Sequence, residues 1–168
     1  LSCNEQGIYA GFTSKSGGKI LNLFIDSYRD IWNEDGLTPW TYKVYSELQW
    51  LKIPKINLTF RSEFKYKELQ EVNTDYGDEL SPTLTGKLRT QIAWEIPHQI
   101  KIRFRVEAKR FWELTGRKVS NTGIVSFFDI VWPINRESTF YARVISSWVE
   151  DYKTAGVYEF QNTVPGYM

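Results

Sequence analysis

Cysteine is almost absent from this chain of 168 residues: Cys3 stands alone, so no intrachain disulfide can form and packing and pairing must hold the fold. Histidine is equally scarce. His98, beside Pro97 in a tight turn, reads as a solvated turn residue. No Ser–His–acid order, phosphate loop or metal-ligand cluster occurs, so neither an enzyme nor a bound cofactor is expected. The acids Glu71, Asp75, Asp78 and Glu79 read as a solvated loop, not a cation site. No apolar run approaches the ~18 residues of a spanning helix, and a mean hydropathy of −0.41 speaks against a helical membrane protein. Charge of one sign is missing too. A net charge of +1 offers no whole-molecule attraction to nucleic acid, and none is expected as a partner. No signal peptide is visible. "LSC" resembles the end of a lipoprotein signal without its charged and apolar parts, and Cys3 reads as incidental.

Aromatic residues are abundant: 16% of the chain, with 7 Trp, 10 Tyr and 10 Phe. They favour strands and half-wet surfaces. In "KIRFRVEAKR" (101–110), Ile102, Phe104, Val106 and Ala108 share one parity, and Lys101, Arg103, Arg105, Glu107 and Lys109 the other. A strand sends alternate side chains to opposite faces, so this one has an oily face and a charged face.

The same alternation recurs along the chain and predicts nine strands in a single domain, 1–168. These are Gly7–Lys15, Ile20–Trp32, Trp40–Leu51, Ile56–Leu69, Thr83–Ile96, Gln99–Phe111, Ile124–Trp132, Ser138–Val149 and Gly156–Thr163. No helix is expected. Short links ("SGGK", "IPK", "PH", "PINRE") alternate with mostly longer, more polar ones ("NEDGL", 70–82, 113–123, "EDYKTA"). The fold class expected is therefore all-β, an antiparallel up-and-down meander with one trimmed and one ornamented rim. At about 9–14 residues the strands exceed the usual ~5–6. Bacterial outer-membrane barrels combine short periplasmic turns, longer outer loops and strands of this kind.

Two barrels fit such a meander. A soluble antiparallel barrel that binds an apolar ligand points its oily face inward. A membrane barrel turns that face to lipid and lines a wet lumen with charge. Trp50, Trp94, Trp132 and Trp148 lie near strand ends, with Tyr66 at the far end of its strand. Rings at strand ends suit the membrane interface. Small residues (Ser46, Ser62, Gly86, Ser126, Ser146) interrupt the oily faces, which lipid tolerates better than a close-packed core does. The expectation is a transmembrane β-barrel, or a large part of one.

The polar parity of the central strands is mainly basic. Arg61, Lys65, Lys87, Arg89, Lys101, Arg103, Arg105 and Lys109 are candidate lumen-lining residues. With Glu47, Glu63, Glu95 and Glu107 they also fit a structural ladder of cross-strand pairs. A basic lumen would draw anions.

"GIVSFFDIVWPI", "STFYARVISSW" and "AGVYEFQNTVPGYM" resemble consecutive strands of the outer-membrane barrel in certain bacterial helix-hairpin-helix proteins. "KLRTQIAWEIPHQIKIRFRVEAKRF" is similar to the hairpin before them. The resemblance spans roughly residues 84–168 and rests on strand patterns. It implies a bacterial outer-membrane location and no activity. No helix-hairpin-helix segment is present in this chain. A porin-like membrane protein, passive channel or scaffold, is thus expected, with the bilayer, further barrel strands and other envelope proteins as partners. Single-chain bacterial barrels have even strand numbers, so nine strands lead to the expectation of at least one more before Leu1, or of edges paired by another chain.

Overall fold

A computed structural model describes residues 5–30, 38–74, 77–96, 100–114, 120–135 and 137–156. Eight antiparallel strands form one sheet, each beside the next in chain order: β1 (Glu5–Ser16), β2 (Lys19–Asp30), β3 (Trp40–Trp50), β4 (Ile56–Thr74), β5 (Gly77–Glu95), β6 (Lys101–Glu113), β7 (Ser120–Pro133) and β8 (Thr139–Val149). This is the predicted up-and-down meander. β1 and β8 form its edges and do not pair with each other among the described residues. Of the expected ninth strand, Gly156–Thr163, all but Gly156 lies outside the described residues, as do Cys3, Asp75, Pro97 and His98.

Local chemistry accounts for the turns. β1 and β2 join through Gly17 and Gly18, with φ of 54° and 73°, the two positive values that a type I′ hairpin needs. The expected polar loop 70–82 is instead mostly strand: β4 runs on to Thr74 and β5 starts at Gly77. Along this extension β4 and β5 pair only with each other, beyond the reach of β3 and β6. At its base the register slips between Lys67 and Gln70, so two residues of β4 stand against Pro82. A bulge accommodates a proline, which has no N–H to give the ladder. The expected loop "EDYKTA" contains one helical turn, α1 (Tyr152–Ala155).

Register gathers all the oily parities onto one face. Ile8, Ser27, Tyr42, Tyr66 and Leu84 form one row across five strands, and Phe12, Leu23, Ser46, Ser62, Leu88, Ala108, Ile124 and Trp148 another across eight. The opposite face carries Asn22, Glu47, Arg61, Arg89 and Glu107 in a single row.

A flat single layer would expose both faces alike. Here Glu47, Glu107 and Asp129 are buried while Val44, Leu88 and Val144 on the other face are exposed. The sheet therefore curls around its charged face, and the oily face is outermost. The best-buried apolar residues, Phe111, Val125, Phe127 and Ala155, also lie on the inner side. α1 closes over that side of β7 because residue 123 is glycine: a Cβ there would sit 2.2 Å from the Ala155 carbonyl oxygen. Asn121 donates to the Thr154 hydroxyl at 2.7 Å, and Lys109 donates to the Gly156 carbonyl at 3.1 Å.

Candidate functional site

The outer face has an order that no single strand reveals. Trp50 on β3 shares a row with Leu58, Ile92 and Phe104. Trp94 on β5 lies one row nearer the rim of short links, between Ile56 and Ile102. Trp132 on β7 lies one row further, opposite Phe140. A row is two residues deep, so this belt drifts by about one residue per strand.

A second belt runs near the other rim. Trp40 and Tyr42 sit on β3, and Tyr66 stands opposite Tyr42. Trp112 joins that row through Leu84. Trp148, opposite Ile124, lies about four residues lower. The second belt thus slants in the same sense as the first.

A drift of about one residue (~3.4 Å) per ~4.8 Å of strand spacing corresponds to strands tilted by about 35° from the normal to the belts. Tyr42 and Trp50 are about eight residues apart, roughly 27 Å along β3. Tilt shortens the height between belts to roughly 22 Å.

Between the belts, Arg110, one row inside Trp112, is the one Asp, Glu, Lys or Arg on the outer face of the described strands. Cations on this face sit against belt rings: Lys19 Nζ lies 4.9 Å from the Trp50 centroid, the Arg29 guanidinium 5.1 Å from Trp40, and that of Arg110 5.3 Å from Trp112. Glu68, at the bulge, accepts the Trp40 N–H at 2.9 Å. The small residues of the band are accommodated. Ser46 and Ser62 hydroxyls share a hydrogen bond at 2.8 Å. Gly86 leaves room for the Trp112 ring, which a Cβ would meet at 3.1 Å.

The inner face holds the predicted basic residues, and Arg61, Lys65, Lys87, Arg89, Lys101, Arg103, Arg105 and Lys109 all project from it. Three directly opposed pairs are both basic: Arg61 with Arg89, Lys43 with Lys65, and Lys87 with Lys109. Like charges across a ladder repel, and carboxylates set beside them offset this. Glu47, 6% exposed, accepts from Arg61 Nε at 2.9 Å, Tyr45 Oη at 2.8 Å and Gln49 Nε2 at 2.9 Å. Arg89 Nε donates to Glu107 at 2.6 Å. Glu63 bridges Lys43 and Lys87 at 3.2 and 3.3 Å. Asp129 takes Arg143 at 2.6 Å and Arg103 at 3.9 Å. Lys101 pairs with Glu95 at 3.3 Å, and Arg105 donates to Gln91 at 3.0 Å.

The structural ladder is therefore present, yet basic groups outnumber acidic ones along this face. A hollow of about 700 Å³ opens among Asp26, Tyr28, Lys43, Glu63, Lys65 and Lys87. Its lining is polar, with three lysines against two carboxylates. No metal-binding group of His, Cys, Asp and Glu occurs among the described residues.

Of the predicted aromatics, Trp50, Trp94 and Trp132 fall on one belt, and Tyr66 and Trp148 on the other. Sequence reasoning missed Trp40, Tyr42, Trp112 and Phe140 as belt members and Lys19, Arg29 and Arg110 as their cations. Parity was the available signal for them, but their heights depend on register between strands. No family model, curated protein or solved structure matches this chain.

Proposed function

We propose that this chain is an integral β-barrel of the bacterial outer membrane, or a large part of one. It acts as a passive channel or as a scaffold in an envelope assembly, not as an enzyme, around a charged and mainly basic lumen. The observation that carries this is the pair of slanted aromatic belts enclosing an apolar outer band whose single charge, Arg110, sits at its margin against Trp112. The ~35° slant and roughly 22 Å height match the tilt of ~35–45° and the apolar band of ~25 Å of outer-membrane barrels. Belt cations suit the headgroup level, where amphipathic rings and basic tips meet phosphate and water. A soluble barrel holding an apolar ligand needs its oily face inside, and the inner hollow is lined by lysines and carboxylates.

In lipid each unpaired backbone group costs several kcal/mol. The outer edges of β1 and β8 must then be paired, by one another, by further strands or by other envelope proteins.

The test is solubility. Purified protein is expected to stay monodisperse only in detergent or lipid and to float with vesicles in a density gradient. A monodisperse monomer in plain buffer would overturn the proposal and promote the soluble barrel.

Ion preference tests the lumen. Arg103 is half-exposed and shares Asp129 with Arg143. Channels reconstituted in planar bilayers are expected to favour anions. Replacing Arg103 and Arg105 with Gln is expected to lower the anion-to-cation permeability ratio by on the order of twofold, read from reversal potentials in a salt gradient. An unchanged ratio would leave these residues a structural ladder only.

A further inference from the structure

On the outer face, where the first hairpin meets the link after β3, lies a second hollow of about 450 Å³. Leu21, Leu48 and the Trp50 ring line it on the side of the apolar band, and Lys19 and Lys52 line it on the side of the short-link rim. The two cations are held beside each other by backbone. Gly18 accepts the Leu51 N–H at 2.7 Å, and a Cβ on Gly18 would come within 3.3 Å of the Lys52 Cα. The hairpin turn is thus seated on the link that carries Lys52. No carboxylate lines the hollow to neutralise the lysines.

An apolar trough that ends in two ammonium groups at the level of an aromatic belt suits an alkyl chain that ends in an anion, and the anion that bilayer lipids carry at that level is a phosphate ester. We propose that this hollow binds an anionic phospholipid, with the phosphate between Lys19 and Lys52 and the upper part of an acyl chain along Leu21 and Leu48. It builds on the membrane location proposed above: the trough is continuous with the apolar band, so a bilayer lipid enters it from the side without leaving its leaflet. The phosphate brings the charge that the lysines lack, and the chain covers side chains that otherwise face open space. Lys19 rests on the Trp50 ring at 4.9 Å, so it is positioned before the lipid arrives.

The experiment is native mass spectrometry of the full-length protein in detergent, titrated with dioleoyl phosphatidylglycerol, dioleoyl phosphatidylcholine or inorganic phosphate. Phosphatidylglycerol is expected to give a saturable single adduct, at least about tenfold tighter than phosphatidylcholine, with inorganic phosphate failing to compete at equal concentration. The double variant Lys19→Gln/Lys52→Gln is expected to lose that tenfold preference, and Leu21→Ser/Leu48→Ser to weaken both lipids alike. Lys19 and Lys52 are exposed, so the first variant keeps the fold, and its circular dichroism should match the parent. Displacement of the adduct by inorganic phosphate would assign the site to free phosphate and overturn the lipid. A protein that stays detergent-dependent, with the same phosphatidylglycerol preference in the lysine variant, would overturn this site and leave the membrane location standing. A protein soluble without detergent and blind to lipid would overturn both.

Discussion

Replacing Leu88 with Arg is expected to destabilise the protein in a bilayer by about 2–4 kcal/mol, the cost of a cation near the midplane of a barrel's lipid face. Leu88 is 57% exposed and stands roughly midway between the two aromatic belts on β5. In water such a site accepts Arg at a cost within about 0.5 kcal/mol, because the substituted side chain only moves further into solvent. The two environments of the outer face thus predict effects that differ by a factor of several. Urea titration of protein folded into vesicles, followed by tryptophan fluorescence, reads the difference. A change below about 0.5 kcal/mol would mean that no lipid covers this face.

The second large effect belongs to the inner side. Phe111 is 1% exposed and projects from the charged parity of β6, between Thr85 and Asn121 in the ladder. Phe111→Ala is expected to cost about 3–5 kcal/mol, the loss for a fully buried ring whose surroundings cannot collapse onto the vacated space. Relaxation is restricted here because α1 is fixed against Gly123 and tied by the Asn121–Thr154 hydrogen bond. The same vesicle titration measures it. A cost below about 1 kcal/mol would show that water reaches this corner freely and that α1 contributes little to stability.

Much of this architecture was legible because a curled, one-layer sheet imposes a period of two on every strand. The oily parities of Ile8–Phe12, Tyr42–Trp50 and Ile102–Ala108 were readable one by one, and pairing places them on one face. Alternation itself cannot say which face is outside, because lipid and a protein core select the same side chains. The belts needed register, which is set between strands and leaves no mark within either. Hence Trp50 and Trp94 were recognisable as rim residues, while the matched drift of the two belts and the seats of Lys19 and Arg110 were not. Residues 70–74 and 77–82 were read as loop because their sequence shows no apolar period of two, and strand pairing there is set by register alone. Phe111, Val125 and Phe127 were hidden by their company: they share a parity with lysines, arginines and acids, and the Phe127 ring is covered by the Arg105 and Arg143 guanidiniums.

The drift of the belts also has a consequence for circumference. A sheet that descends one residue per strand accumulates, after a full circuit, a shear number equal to its strand count. The rise of the belts is then independent of how many strands complete the circuit, and the bore is set by strand count alone. With eight strands the ring is only wide enough for its own side chains to fill, and each added hairpin opens it further. An eight-strand ring with that offset would bring Val144 of β8 opposite Ile8 of β1. These two outward apolar side chains are 65% and 74% exposed, among the most exposed large hydrophobic residues on the sheet. In a wider ring, each would instead face an outward residue of an inserted strand.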